Sequence, residues 1–303
     1  MALVVLVSVA AALVLALLVA SAVGTRRFRD RYHTERADIL HRANAVPVSG
    51  FDAASSARLP PPVQRYLDAI RHSVQPGLKV AVLKQRGSLR AASDRPWMPF
   101  EAEQVYSMEP PGFVWLASAR LAPFLHMLAR DKFVDAKGHM LVSLLGLFNV
   151  ADARGPEVDL GAGLRYWGEI MAFPEMVRSR HVRWEPVTER EARLTIQQDG
   201  LKMTALIEFN DDDLPIAVHA ERYRDVEGKQ VLTPWSGCFG DWKRFEARSF
   251  PTKWESVWHL PEGDLTVVRI EILALRSEGA ARAPDTHADA QATHPETALV
   301  VGE

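Results

Sequence analysis

The sequence predicts a mainly β protein of the α+β class: one antiparallel curved sheet or half-barrel, two covering helices and one N-terminal transmembrane helix. Three observations predict it. Residues 2–23 contain only Ala, Val, Leu and Ser. From about Leu78 the apolar residues recur with a period of two. Beyond Pro174, short runs of that period follow one another at even spacing, parted by turn dipeptides.

The apolar run comes first. As a helix, 22 residues span about 33 Å, enough to cross a hydrocarbon core of about 30 Å. Thirteen of them are Leu or Val, each favouring insertion by about 0.3–0.6 kcal/mol at mid-membrane. Two readings stand. A cleaved secretory signal would explain Ala20-Ser21-Ala22, which has the form of a cleavage tripeptide. A retained anchor explains the length of the run and the lack of a basic segment before it. The anchor is the expected outcome, giving a single-pass protein of the inner or cytoplasmic membrane whose partner is the bilayer. Arg26, Arg27, Arg29 and Arg31 follow the run and by the positive-inside rule point the body toward the cytoplasm, but single-span proteins break that rule, so the side of the soluble domain stays open.

Residues 24–58 read as a basic juxtamembrane helix and a linker. Positions 26–42 hold six Arg against three acids, suited to anionic headgroups. Pro47 and Gly50 punctuate the linker. Leu59-Pro60-Pro61-Pro62 opens a helix, because Pro suits the first turn. Val63, Tyr66, Leu67 and Ile70 then give it one apolar face as far as about residue 72.

A β-rich domain is expected over 59–276. Residues 78–91 and 100–108 read as strands. In the second, Phe100, Ala102, Tyr106 and Met108 share a face that Gln104 interrupts. Residues 113–119 are apolar on both faces, as a covered central strand is. Residues 121–129 read as a short helix or a lid, Lys137-Gly138 as a hairpin turn, and 139–149 as a strand. Over 157–172 the spacing of Leu160, Leu164, Trp167 and Met171 is helical. Gly161, Gly163 and Gly168 weaken such a helix by about 1 kcal/mol each relative to Ala, or allow close packing on a sheet. Strands follow near 181–187, 192–199, 201–209, 214–224, 229–238, 240–248, 252–259 and 264–275. Asp199-Gly200, Asp211-Asp212-Asp213, Glu227-Gly228 and Glu262-Gly263 supply hairpin turns between them. Residues 277–303, with five acids, one Arg and no aromatic residue, are expected to be disordered.

A formal charge of −2 argues against nucleic-acid binding. Cys238 stands alone and cannot form an internal disulfide. There is no G-x-S-x-G, no Walker A and no H-E-x-x-H. No catalytic residue, metal site or cofactor is therefore assigned, and oligomeric state is not readable. Three clusters carry what chemistry there is. Arg165 and Glu169 are four apart on the Gly-rich helix and read as a surface ion pair, beside Tyr166 and Trp167. Alternation puts His219, Glu221 and Tyr223 on one strand face and Arg222 on the other. Trp235 sits between Pro234 and Gly237 at a barrel rim or in the core.

At the stretches LPPPVQRYL (59–67), FEAEQVY (100–106), PPGFVWLA (110–117), SLLGLFNVADARGPE (143–157), RYWGE (165–169), PWSGCFGDW (234–242) and PTKWESVW (251–258), the chain resembles an uncharacterised, mostly bacterial family of unknown function with an N-terminal membrane segment. The resemblance implies the membrane segment and no reaction. The β pattern also looks like the open barrels of bacterial lipoprotein carriers, which hold acyl chains; that likeness implies a fold only. The reading that follows is a membrane-anchored protein binding a lipophilic ligand in the concave face of its sheet, with Trp115, Tyr166, Trp167, Tyr223 and Trp235 lining the site. The alternatives are an enzyme on a membrane-associated substrate, using Glu169, His219 and Glu221 as acid and base, and a structural or assembly factor.

Overall fold

The structure is a computed structural model and describes residues 1–47, 59–71, 77–245 and 248–278. Of the disordered tail expected over 277–303, Ser277 and Glu278 instead end the last strand, paired with Ala81 and Val80; the rest of it and most of the linker lie outside the described residues. Helix α1 runs without a break over Ala2–Ala45, and α2 over Pro61–Ala69. Six strands follow: β1 Val80–Leu89, β2 Met98–Ser107, β3 Gly112–Ala122, β4 Leu125–Val134, β5 Lys137–Leu144 and β6 Phe148–Ala153. Helix α3, Pro156–Glu169, continues through the 3-10 turns Ile170–Ala172 and Pro174–Arg178. Seven more strands complete the body: β7 Val182–Thr188, β8 Glu191–Gln198, β9 Leu201–Phe209, β10 Pro215–Val226, β11 Lys229–Phe245, β12 Arg248–Leu260 and β13 Gly263–Glu278.

All thirteen strands form one antiparallel sheet in the order β6-β5-β4-β3-β2-β1-β13-β12-β11-β10-β9-β8-β7. Sheet order is thus chain order closed on itself through the β1–β13 pair and cut between β6 and β7. The cut is where α3 is inserted. The helix meets both arms: Val158 and Ala162 lie against Gly138 of β5, Gly163 against Met203 of β9, and Gly168 against Val218 of β10. The sheet is therefore an open curl with α3 inside it. A Cβ on Gly163 would come within 2.6 Å of the Met203 sulfur, so this glycine serves close packing, at the helix-propensity cost noted above.

Alternation divides the sheet into two faces. The inner face carries the main core, in which Leu83, Phe100, Tyr106, Phe113, Phe133, Leu194, Ile207 and Phe250 meet Tyr166 and Trp167 of α3. Val63, Tyr66 and Leu67 of α2 join it, and the Tyr66 hydroxyl donates to the Met171 carbonyl at 2.6 Å. The outer face of β1–β4 carries a smaller cluster, Val80, Val82, Val105 and Val114, on which Tyr32, Ile39 and Ala43 of α1 pack.

Four local expectations are corrected. Residues 121–129 are neither helix nor lid but the β3–β4 hairpin, turning at Pro123-Phe124. The β4–β5 turn is Asp135-Ala136, both at positive φ; Lys137-Gly138 opens β5, because a Cβ on Gly138 would collide with the Val158 carbonyl. The strand expected over 139–149 is two, β5 and β6, reversing at Leu145–Leu147. Conversely, 229–238 and the following run are one strand of 17 residues, β11, which pairs with β10 through its first part and β12 through its second.

Candidate functional site

The inner face holds a polar cluster that no hydrophobic core requires. Arg165 on α3 donates from Nη1 to Asp131 of β4 at 2.7 Å, from Nε to Glu169 at 2.9 Å and from Nη2 to Gln104 at 3.1 Å. Glu169 also accepts from Gln104 Nε2 at 2.9 Å and from the Tyr106 hydroxyl. Gln85 of β1 donates to Gln104 at 3.1 Å and accepts from Trp115 Nε1 at 2.9 Å. The Arg165 guanidinium lies 4.9 Å from the centre of Phe113 and 5.0 Å from that of Trp115, within cation–π range. Arg222 of β10 closes the cluster, 4.6 Å over Trp235, and its buried Nε has no hydrogen-bond partner.

Why these residues converge follows from the pattern. Gln104, Trp115 and Asp131 lie opposite one another in register across β2–β4, Gln104 paired with Trp115 and Trp115 with Asp131; Gln85 of β1, opposite Ala102, reaches Gln104 diagonally. Arg165 and Glu169 are one helical turn apart and point the same way. The sequence reading of that pair as a surface interaction is corrected: the two side chains are 14% and 15% exposed and Asp131 is 8% exposed.

Burial and charge oppose each other here. Burial raises the Asp131 carboxyl above its ordinary value, although Arg165 pulls it back. Burial works against the charge on Arg165 too, but Glu169 and Asp131 outweigh it and hold that guanidinium above its usual value. For Arg222 burial wins: its pKa falls to about 10, against the pull of Asp131. Burial, then Glu169, lifts the Tyr106 hydroxyl well above its usual range. Two carboxylates and two guanidiniums thus face each other in low dielectric, balanced in number.

Of the expected lining residues, Trp115, Tyr166, Trp167 and Trp235 are buried in one continuous core. Trp167 donates from Nε1 to Gln198 at 3.1 Å and Tyr166 from its hydroxyl to the Ser107 carbonyl at 2.7 Å. Tyr223 is 36% exposed and lies on the outer face, since its neighbour Arg222 points inward. The acid/base candidates Glu169, His219 and Glu221 do not share a site. Glu169 belongs to the inner cluster, whereas His219 and Glu221 alternate with Arg222 and face outward. The sequence reading passed over Gln85 and Asp131, and placed Arg222 on the opposite strand face without giving it a role. The interruption of an apolar strand face by Gln104 was the available signal.

On the outer face His219 enters a different arrangement. Glu208 to His219 Nε2 is 3.1 Å, His219 Nδ1 to Ser236 Oγ 2.8 Å, Ser236 Oγ to His259 Nε2 2.6 Å, and His259 Nδ1 to Asp264 2.7 Å. One hydroxyl thus joins two imidazoles, each oriented by a carboxylate. The serine is 1% exposed. Among the described residues no cluster of His, Cys, Asp and Glu is arranged to hold a metal ion.

The fold and site define a class: an open antiparallel curl around one helix, with a charged cluster inside and a long apolar helix in front. The chain belongs to a family of unknown function, DUF6544, whose model matches residues 49–270. No curated protein matches it in sequence. Among solved structures it is similar to a LolA superfamily protein from Nitrosomonas europaea, at 12% identity over 71% of this chain and 93% of that one, with a TM-score of 0.38. It is similar to a putative outer membrane lipoprotein-sorting protein domain from Vibrio parahaemolyticus, at 13% identity over 71% and 92%, with a TM-score of 0.38. A DUF1329 family protein from Desulfovibrio piger matches at 12% identity over 72% and 94%, with a TM-score of 0.39.

Proposed function

We propose that this is a membrane-anchored binding protein that takes a lipophilic ligand against the inner face of the curl. The observation that carries the reading is the charged cluster set in an aromatic wall beneath α3. Apolar packing alone would stabilise the body at least as well as buried ions, whose desolvation offsets their attraction. An Arg222 Nε without a partner inside an apolar lumen suits an amphiphile with a polar end. The inner face is also incompletely covered. Leu89, Ala129, Ala220, Trp258 and Val268 are only partly buried at its rim, as an apolar entrance requires.

Anchoring is supported from α1. Its apolar window has a mean hydropathy of 3.1, and none of that window is buried. Ser21, inside the cleavage-like tripeptide, is 7% exposed and donates to the Leu145 carbonyl at 2.9 Å; a retained helix keeps that contact.

The test is photo-crosslinking of the full chain in nanodiscs with a diazirine-bearing phospholipid, followed by peptide mapping. Adducts on the inner-face residues of β1, β3, β10 and β12 are expected. Adducts confined to α1 and exposed loops refute the reading. An enzyme acting on a membrane-associated substrate is the second reading, favoured by the Ser236 chain alone. Labelling of Ser236 by a fluorophosphonate, lost in Ser236→Ala, would support it; an unlabelled serine removes it.

A further inference from the structure

The β3–β4 and β5–β6 hairpins are joined to α1 at one level. The Thr25 hydroxyl and His126 Nε2 are 2.8 Å apart. The Leu145 amide donates to the His126 carbonyl at 2.9 Å, and the Leu145 carbonyl accepts from Ser21. Gly24 and Gly146 touch backbone to backbone, so closely that a Cβ on either would collide with the other strand of chain. Phe28 packs on Leu128 and Leu141 just beyond. This junction lies where the apolar run of 2–23 gives way to Arg26, Arg27, Arg29 and Arg31.

From there α1 and β4 run side by side in the same direction. Glu35 meets Arg130 and Lys132, and Arg42 meets Asp135. From Thr25 to Arg42 the helix advances about 26 Å; from His126 to Asp135 the strand advances about 30 Å. The two axes are therefore close to parallel, and depth along one reads as depth along the other. Phe124 lies two residues back from His126, about 7 Å toward the apolar end. On the helix that is the level of about Ala20 or Ser21, inside the apolar run.

What the β3–β4 tip presents there is apolar and uncovered: Phe124 is 80% exposed, Leu121 38% and Leu125 36%. Phe148, 58% exposed on β6, lies opposite Leu144 and through it Met127, one residue beyond His126 and so level with about Arg27 on the helix. Arg120, opposite His126, and Arg27 and Arg31 beyond it are exposed cations. An aromatic tip below a belt of arginines, with a second aromatic side chain level with that belt, matches the acyl and headgroup layers of an anionic bilayer.

We propose that the β3–β4 and β5–β6 tips enter the bilayer interface beside α1, so that the domain is mounted on the membrane at three points rather than hung from a flexible tether. The occupant of this surface is the lipid itself. The inference rests on α1 being a retained anchor, and it sets the rim of the curl at the β3–β4 end close to the membrane surface.

The test uses the full chain in nanodiscs containing anionic lipid, with single cysteines introduced in a Cys238→Ser background and labelled with an environment-sensitive fluorophore. The variants are Phe124→Cys, Phe148→Cys, Ala11→Cys in mid-helix and Lys137→Cys at the opposite end of β5. Quenching by lipids spin-labelled near the headgroup is expected to be severalfold stronger at 124 and 148 than at 137, with 11 quenched by deep labels. If 11 is quenched and 124 and 148 behave like 137, the mount is overturned and the anchor stands. If 11 also escapes quenching, both fall.

Discussion

Replacing Arg165 with Met tests whether the inner ionic cluster holds α3 in the curl. Met keeps the length and apolar stem of Arg and removes all three hydrogen bonds, to Asp131, Glu169 and Gln104. Two carboxylates are then left facing each other without their shared cation. Breaking a buried pair in this way costs about 3–5 kcal/mol. For a body of this size each kcal/mol moves the melting temperature by about 2–4 °C, so near-UV circular dichroism should show a fall of about 6–20 °C at neutral pH. Glu169→Gln leaves Arg165 paired with Asp131 and should cost less, about 1–3 kcal/mol. The pH dependence adds a sign. Asp131 already titrates above its unfolded value because of burial, and losing Arg165 raises it further. A carboxyl raised on folding destabilises above its folded pKa, and that penalty disappears as pH falls toward the unfolded value of about 3.9. The deficit of Arg165→Met should therefore shrink on acidification. A variant that melts with the parent at neutral pH, or loses more in acid, would refute the reasoning.

Three further outcomes are expected. Glu109 lies below its usual pKa through the His181 imidazole, 3.8 Å away, and through Arg180, which donates to it at 2.8 Å. A carboxyl depressed on folding stabilises above its unfolded value, and that stability is lost as pH falls through the folded pKa; Glu109→Gln should melt below the parent at pH about 6, with the gap narrowing as pH falls below the unfolded value of about 4.3, and a constant difference would contradict this. Gly24→Ala should pry α1 from the β5–β6 turn at a cost of about 1–3 kcal/mol, speeding amide exchange at Leu145 by about 5- to 150-fold; unchanged protection there would count against the junction. Intact mass of protein extracted from membranes should include residues 1–23, and a chain beginning after Ala22 would sink the anchor.

The sheet was legible because alternation is a strong local signal. Seven strands after α3 sit close to their expected places, and Asp199-Gly200 and Glu227-Gly228 turn with the positive φ their composition promises. The misses have physical causes. Leu121–Ala129 reads as helical because both faces of the hairpin are apolar, one toward the core and one left exposed at Phe124. Gly138 mimics a turn glycine, yet its missing Cβ makes room for the Val158 backbone of α3, a tertiary contact with no local mark. The site was half legible. Trp115, Tyr166, Trp167 and Trp235 converge as aromatic weight suggests. The ionic cluster was not, because Asp131 and Arg222 are far apart in sequence and meet only when the two arms of the curl close on α3. An i, i+4 pair such as Arg165 and Glu169 looks the same in sequence whether it faces water or a lumen.

The topology gives the cluster a further consequence. Helix α3 interrupts the meander at its cut, so it is covalently tied to both edge strands, β6 in front and β7 behind. It cannot leave the lumen without dragging an edge. Its fixings differ along its length. At the start Asp159 accepts from Lys137 Nζ at 2.9 Å and from the Gly138 amide at 2.8 Å. At the end the hold combines the buried Tyr166 and Trp167, bonded to Ser107 and Gln198, with the ionic contacts of Arg165 and Glu169, while glycines face β9 and β10. If the inner face takes the lipophilic ligand proposed above, an anionic end on it would compete for Arg165 and Arg222 against Asp131 and Glu169, at the end of α3 away from the Asp159 contacts to β5. The charged cluster would then be both the lock of the closed curl and the recognition element of the open one, which is a reason for this core to carry ions where leucines would pack.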